Sequence, residues 1–205
     1  MSKMVKREVY YFDEPGEGNT MLVIEAVSRR LKTDGIREVI VASTSGETAV
    51  QFAQELQDKA ELICVSEAPY WQELKKEWSS LKQEYRRELE KRGVAIIDRA
   101  PYVFHSSVVE AARWHAVSPE RLVRETLYFY GQGMKVAVEV ALMAVSCGYV
   151  APYKDVIAVG GSRKGADTAI VLRTTYPSSL FDKDPAKRLE IKEILAMPSS
   201  KKWWE

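Results

Sequence analysis

Val39-Ile-Val-Ala-Ser-Thr-Ser-Gly-Glu-Thr-Ala49 is the stretch that decides the fold. It begins as a short apolar, β-branched run, the pattern of a parallel strand buried on both faces. Beyond Gly46 the spacing becomes helical, with Ala49, Val50, Phe52, Ala53 and Leu56 as the apolar positions. Ser43, Thr44, Ser45, Gly46, Glu47 and Thr48 therefore lie between the carboxyl end of a strand and the amino end of a helix. Unpaired backbone N–H groups and the helix dipole favour an anion there, and hydroxyls donate to phosphate oxygens without adding charge. Gly46 lets a backbone approach closely. The alternative is a helix start that caps itself and holds no ligand.

Upstream, Val9–Asp13 reads as a first strand, and Glu14–Thr20 as a loop. A helix capped by Asn19 follows, with Leu22, Val23, Ala26, Val27 and Leu31 on one face. Gly16, Gly18 and Met21 occupy the three glycine positions of a dinucleotide fingerprint. Met21 is too large for the third, and the next strand ends at Ala42-Ser43 with no acid to hold a ribose. A nicotinamide dinucleotide site is thus not expected.

Downstream, Glu61–Ser66 reads as a third strand. Pro69 then opens a helix predicted from about Tyr70 to Lys91, with Trp71, Leu74, Trp78, Leu81, Tyr85 and Leu89 as its stripe. Such a stripe serves as core or dimer contact more often than as a ligand box, which leaves a homo-oligomer open. Val94–Asp98 is a fourth strand, and helices are expected over 107–114 and 119–130. Ser118 caps the second of these, with Pro119 in its first turn. His105 and His115 lack Cys or acidic partners at catalytic or metal spacing and read as histidines without function.

Met134–Cys147 is the most apolar helix, and Lys135 and Glu139 lie four apart on one of its faces. Buried charges must pair, so these two form either a structural bridge or a polar feature pointing into a site. Asp155–Gly161 is a fifth strand running into Gly160-Gly161-Ser162-Arg163-Lys164-Gly165. A P-loop needs Lys where Ala166 stands, so no nucleoside triphosphatase motif exists, but the loop can face a second anion. Ala166–Arg173, with Asp167 and Thr168 at its start, reads as a sixth strand in a hairpin with the fifth, hence antiparallel at an edge. Lys187–Met197 is expected to be a helix, and the Trp203-Trp204 tail either docks on a partner or packs.

The 205 residues suit one domain with a helical excursion at about 67–93. A charged fraction of 29% and a net charge of +1 fit a soluble globular protein and argue against nucleic acid as partner. The apolar helix is too short to cross a bilayer, and the amino terminus lacks the apolar core of a signal peptide. Cys64 and Cys147 read as buried reduced thiols, with no metal-ligand spacing. A cytoplasmic protein without membrane or metal is therefore expected. Alternating strands and helices predict an α/β fold, a three-layer α/β/α sandwich with a mostly parallel sheet and an antiparallel edge strand. The loops Gly16–Thr20, Ser43–Thr48 and Gly160–Gly165 should meet at the carboxyl edge of that sheet.

The turn Ala42–Ala49 resembles that of the pyruvate kinase carboxy-terminal α/β domain. The chain resembles still more closely the stand-alone proteins of that type, over about residues 8 to 198. The matching motifs are Asn19-Thr20, Gly133-Met-Lys-Val-Ala-Val-Glu139, Asp155-Val-Ile-Ala-Val-Gly-Gly161 and Gly165-Ala-Asp-Thr-Ala169. The resemblance implies binding of a phosphorylated small molecule, flavin mononucleotide (FMN) first. Carried onto the matching positions, it gathers Gly16, Asn19, Thr20, the Ser43–Thr48 turn, Lys135 and Glu139 around that cofactor. Gly160, Gly161, Ser162, Lys164, Gly165, Asp167 and Thr168 would complete the site. Pyruvate kinase chemistry belongs to a separate barrel that nothing here matches, so that activity is not expected. The alternatives are an enzyme, flavin-dependent or acting on another phosphorylated metabolite, and an oligomeric regulatory module.

Overall fold

The computed structural model describes residues 4–33, 35–56, 58–74, 76, 80–105 and 117–201. Within them one sheet contains β1 (Tyr10–Phe12), β2 (Glu38–Ala42), β3 (Glu61–Val65), β4 (Ala95–Ile97), β5 (Asp155–Gly160), β6 (Thr168–Arg173) and β7 (Glu190–Pro198). Their order is β1-β7-β6-β5-β2-β3-β4. All neighbours pair in parallel except β6, which runs antiparallel to β5 and to β7. The antiparallel strand thus sits on the β1 side of the sheet, with β7 and β1 outside it.

The apolar runs of β2 and β5 alternate between two cores, as strands covered on both faces must. Val39, Val41, Ile157 and Val159 face one core, shared with α1 (Thr20–Leu31), α2 (Glu47–Leu56) and Leu89 of α4 (Gln83–Lys91). Ile40, Val156 and Ala158 face the other, built mainly from α6 (Gln132–Ser146). A further helix, α5 (Pro119–Tyr128), packs on α6. The molecule is therefore a three-layer α/β/α sandwich with a mostly parallel sheet. No described helix is long and apolar enough to cross a membrane.

Several expectations need correction. The helix predicted over 70–91 is two helices, α3 (Pro69–Leu74) and α4. Between them Ser80 donates its hydroxyl to Glu67 at 2.9 Å and its N–H to the Gln72 side chain at 3.4 Å, and Lys82 is extended. These partners lie 13 and 8 residues earlier, too far along the axis of a continuous helix for such bonds to form. The segment expected to be a helix over 187–197 is strand β7, with β1 and β6 as partners. Its Glu, Lys, Leu and Ala favour a helix locally, and pairing on both edges overrides that preference. Asn19 does not cap α1; its side-chain amide donates to the Glu14 carbonyl at 2.8 Å and closes the preceding loop. Cys147 is exposed, because α6 ends at Ser146 and the chain turns outward, whereas Cys64 is buried. Ser118 does cap α5, accepting the Arg121 N–H at 3.2 Å. The helix expected over 107–114, His115, Trp78 and the Trp203-Trp204 tail lie outside the described residues.

Candidate functional site

The strand order creates a switch point. From β2 the chain moves outward to β3 and β4, whereas β5 is laid on the other side of β2 after the return through α6. At such a point the loops following the two central strands diverge and leave a crevice beyond their carboxyl ends. A cleft of about 480 Å³ lies there, within the range of roughly 300–1,000 Å³ usual for small-molecule sites. Ser43, Thr44, Ser45, Glu47 and Thr48 line one side, and Gly161, Arg163, Lys164 and Gly165 another. Lys135 and Glu139 of α6 form part of the wall.

The turn after β2 is held from several directions. The Ser43 N–H donates to the Val65 carbonyl at 2.9 Å, the Ser66 hydroxyl to the Thr44 carbonyl at 2.7 Å, and the Lys82 N–H to the Ser45 carbonyl at 3.0 Å. The Ser43 hydroxyl accepts the Ala49 N–H at 3.2 Å, and that of Ser45 accepts the Glu47 N–H at 3.3 Å. Two hydroxyls thus cap α2. Thr44 is exposed, and its hydroxyl makes no such bond among the described residues. Gly46 serves packing: its φ is +97°, and a Cβ there would lie 2.7 Å from both Leu81 and Tyr85. The close approach expected of a ligand is made instead by the α4 segment.

Lys135 and Glu139 are each 3% exposed and form an ion pair. The other Glu139 oxygen accepts the Phe104 N–H at 2.8 Å, and the Lys135 ammonium lies 3.5 Å from His105 Nδ1 and 5.6 Å from the Tyr102 ring centroid. An ammonium only donates, so Nδ1 can take part in this contact only as an acceptor. His105 also meets the rings of Trp71 and Tyr102 edge-on or tilted, at centroid separations of 6.2 and 5.9 Å. Burial pushes the Tyr102 phenol pKa well up, and the charges of Glu67 and Glu139 add to the rise. The phenol therefore stays neutral at physiological pH.

The remaining expected residues lie behind the cleft. Asp167 is fully buried; its carboxylate accepts the N–H groups of Gly16 at 3.1 Å and Ser162 at 3.0 Å and the Thr168 hydroxyl at 2.8 Å. It ties the loop after β1 to the loop after β5. Thr20 joins the same two segments by accepting the Ala166 N–H at 3.0 Å. Gly160 lets α6 rest on β5, since a Cβ there would run into the Gly133 carbonyl. Thr20, Glu47, Thr48, Lys164 and Gly165 also line an adjoining cavity of about 260 Å³. Its boundary with the cleft includes Lys164, whose ammonium lies 2.9 Å from Glu17 and 3.8 Å from Glu47. The bond to Glu17 raises the lysine's pKa.

Sequence reasoning missed Trp71, Tyr102, His105, Lys82, Glu67 and Gln132, all of which line the cleft. Trp71 reads in the sequence only as part of an apolar stripe, and His105 carries no spacing signal. No metal-binding cluster of His, Cys, Asp and Glu occurs among the described residues. No protein-family model matches this chain.

Proposed function

We propose that this chain binds the phosphate ester of a planar heterocycle, with FMN the first candidate, in the cleft between β2 and β5. The observation that carries the reading is the division of that cleft. Its rim has hydroxyls and cations beside the start of α2, and another wall has the rings of Trp71, Tyr102 and His105. A phosphate suits the first and a flat ring the second. A further observation supports an occupant. Trp71 Nε1 and Gln132 Oε1, which belong to two residues of the cleft lining, are buried without a hydrogen-bond partner among the described residues. Buried polar atoms of this kind ordinarily have one. The resemblance to stand-alone pyruvate kinase carboxy-terminal-like proteins points the same way, to a cytoplasmic binding protein without pyruvate kinase activity.

Mass spectrometry of the small molecule that co-purifies, with flavin titration of the apoprotein, tests the proposal. Bound FMN, or ring fluorescence quenched on titration, is expected; an apoprotein indifferent to FMN refutes the assignment. A second reading, catalysis, is favoured by the Lys135–His105 contact, which places an imidazole beside an ammonium at the cleft wall. Hydride transfer from reduced nicotinamide to the bound flavin would distinguish it, and no turnover leaves binding alone.

A further inference from the structure

Four cations line the cleft: Lys82, Lys135, Arg163 and Lys164. Lys135 is paired with Glu139, and Lys164 with Glu17 and Glu47. Lys82 and Arg163 have no carboxylate partner among the described residues, and both side chains are exposed. They reach the cleft from the two sides of the β2 turn. Lys82 precedes α4 with its N–H on the Ser45 carbonyl, and Arg163 belongs to the loop after β5, the strand on the opposite flank of β2. Arg163 also has φ of 143°, a conformation that favours glycine. A non-glycine residue held there costs stability and calls for a compensating role.

From this charge distribution we propose that Lys82 and Arg163 are the two residues that clamp the ligand's phosphate, which rests on the reading of the cleft given above. The Lys82 ammonium also lies 6.0 Å from the Tyr85 ring centroid, and a phosphomonoester dianion between the two residues neutralises charges that no described carboxylate meets. The carboxylates of Glu47, Glu67 and Glu139 border the same cleft and repel an anion placed against them. The ligand class is accordingly a phosphomonoester whose remaining part is uncharged. Lys135 and Lys164, the lysines singled out by sequence, serve the architecture of the walls.

Apoprotein is titrated with FMN, riboflavin and inorganic phosphate, using wild type, Lys82→Gln, Arg163→Gln and Arg163→Gly. Wild type should bind FMN far more tightly than riboflavin. Each variant should lose about tenfold or more in affinity for FMN and for phosphate, with riboflavin unchanged. Arg163→Gly should at the same time raise the melting temperature, because it relieves the backbone; a merely structural arginine would not separate stability from affinity in this way. If wild type ignores both flavins while phosphate protects it, and the variants lose that protection, the flavin reading falls and the clamp stands. Absence of phosphate binding by wild type, or FMN and phosphate affinities unchanged in the variants, overturns the clamp.

Discussion

Asp167 shows how a residue matching an expected binding motif can act through the frame. Burial raises its pKa above the ordinary 3.8, and the donors Ser162, Thr168 and Gly16 oppose the rise. The folded protein then holds this proton more tightly than the unfolded chain does. Between 3.8 and the raised folded value the native state binds more protons, so stability from this group falls as pH increases. Asp167→Asn removes the titration. The stability of wild type minus that of the variant, from urea midpoints across the acid range, should be greatest at the lowest pH and decline upward. A difference that grows with pH would contradict the assignment. Glu139 acts through its ion pair with Lys135. Breaking a buried pair from one side costs about 3–5 kcal/mol. Glu139→Gln should lower stability by that order in denaturant melts, and an unchanged midpoint would show that Lys135 finds water.

At the scale of elements, the docking of α4 under the turn depends on Gly46. Leu81 and Leu89 are buried in the core below it, and Tyr85 packs against that core. Gly46→Ala should force this segment away, adding overpacking of about 1–3 kcal/mol to the strain of its φ. Gly35 is the control: its φ is +105°, but a Cβ there meets nothing within 4 Å. Gly35→Ala should therefore show the strain alone. Equal melting temperatures for the two variants would mean that the helix does not lean on the turn. The start of α4 also explains a limit of the sequence reading. Trp71, Leu81, Tyr85 and Leu89 fit one helical stripe, and no local signal shows that Ser80 is engaged by Glu67 and Gln72 across a break.

For the whole molecule, what was legible followed from burial on two faces. β2 and β5 announce themselves as apolar runs, so the turn at 43–48 and the loop at 160–165, which leave their carboxyl ends, meet at one edge as expected, whereas the third expected loop, Gly16–Thr20, reaches only the adjoining cavity. The wall of Trp71, Tyr102 and His105 was not legible, because tertiary folding brings together segments that share no motif. β7 was illegible for a related reason. Its first residues, Glu190, Ile191 and Lys192, are exposed and its composition is helical; only distant partners make it a strand. That difference has a measurable consequence. Ala196 is fully buried and paired with Ala169 on one side and Tyr10 on the other. Proline there removes an N–H from the ladder and cannot sit in a strand flanked on both edges. Ala196→Pro should cost at least about 1–3 kcal/mol, the penalty of a buried unpaired backbone group. Amide hydrogen exchange locates the damage: Tyr10–Phe12 and Thr168–Arg173 should lose protection first, while β2 and β3 keep theirs. A helix over the same residues would leave the protection of β1 untouched, so unaltered exchange at Tyr10–Phe12 would argue against the sheet order.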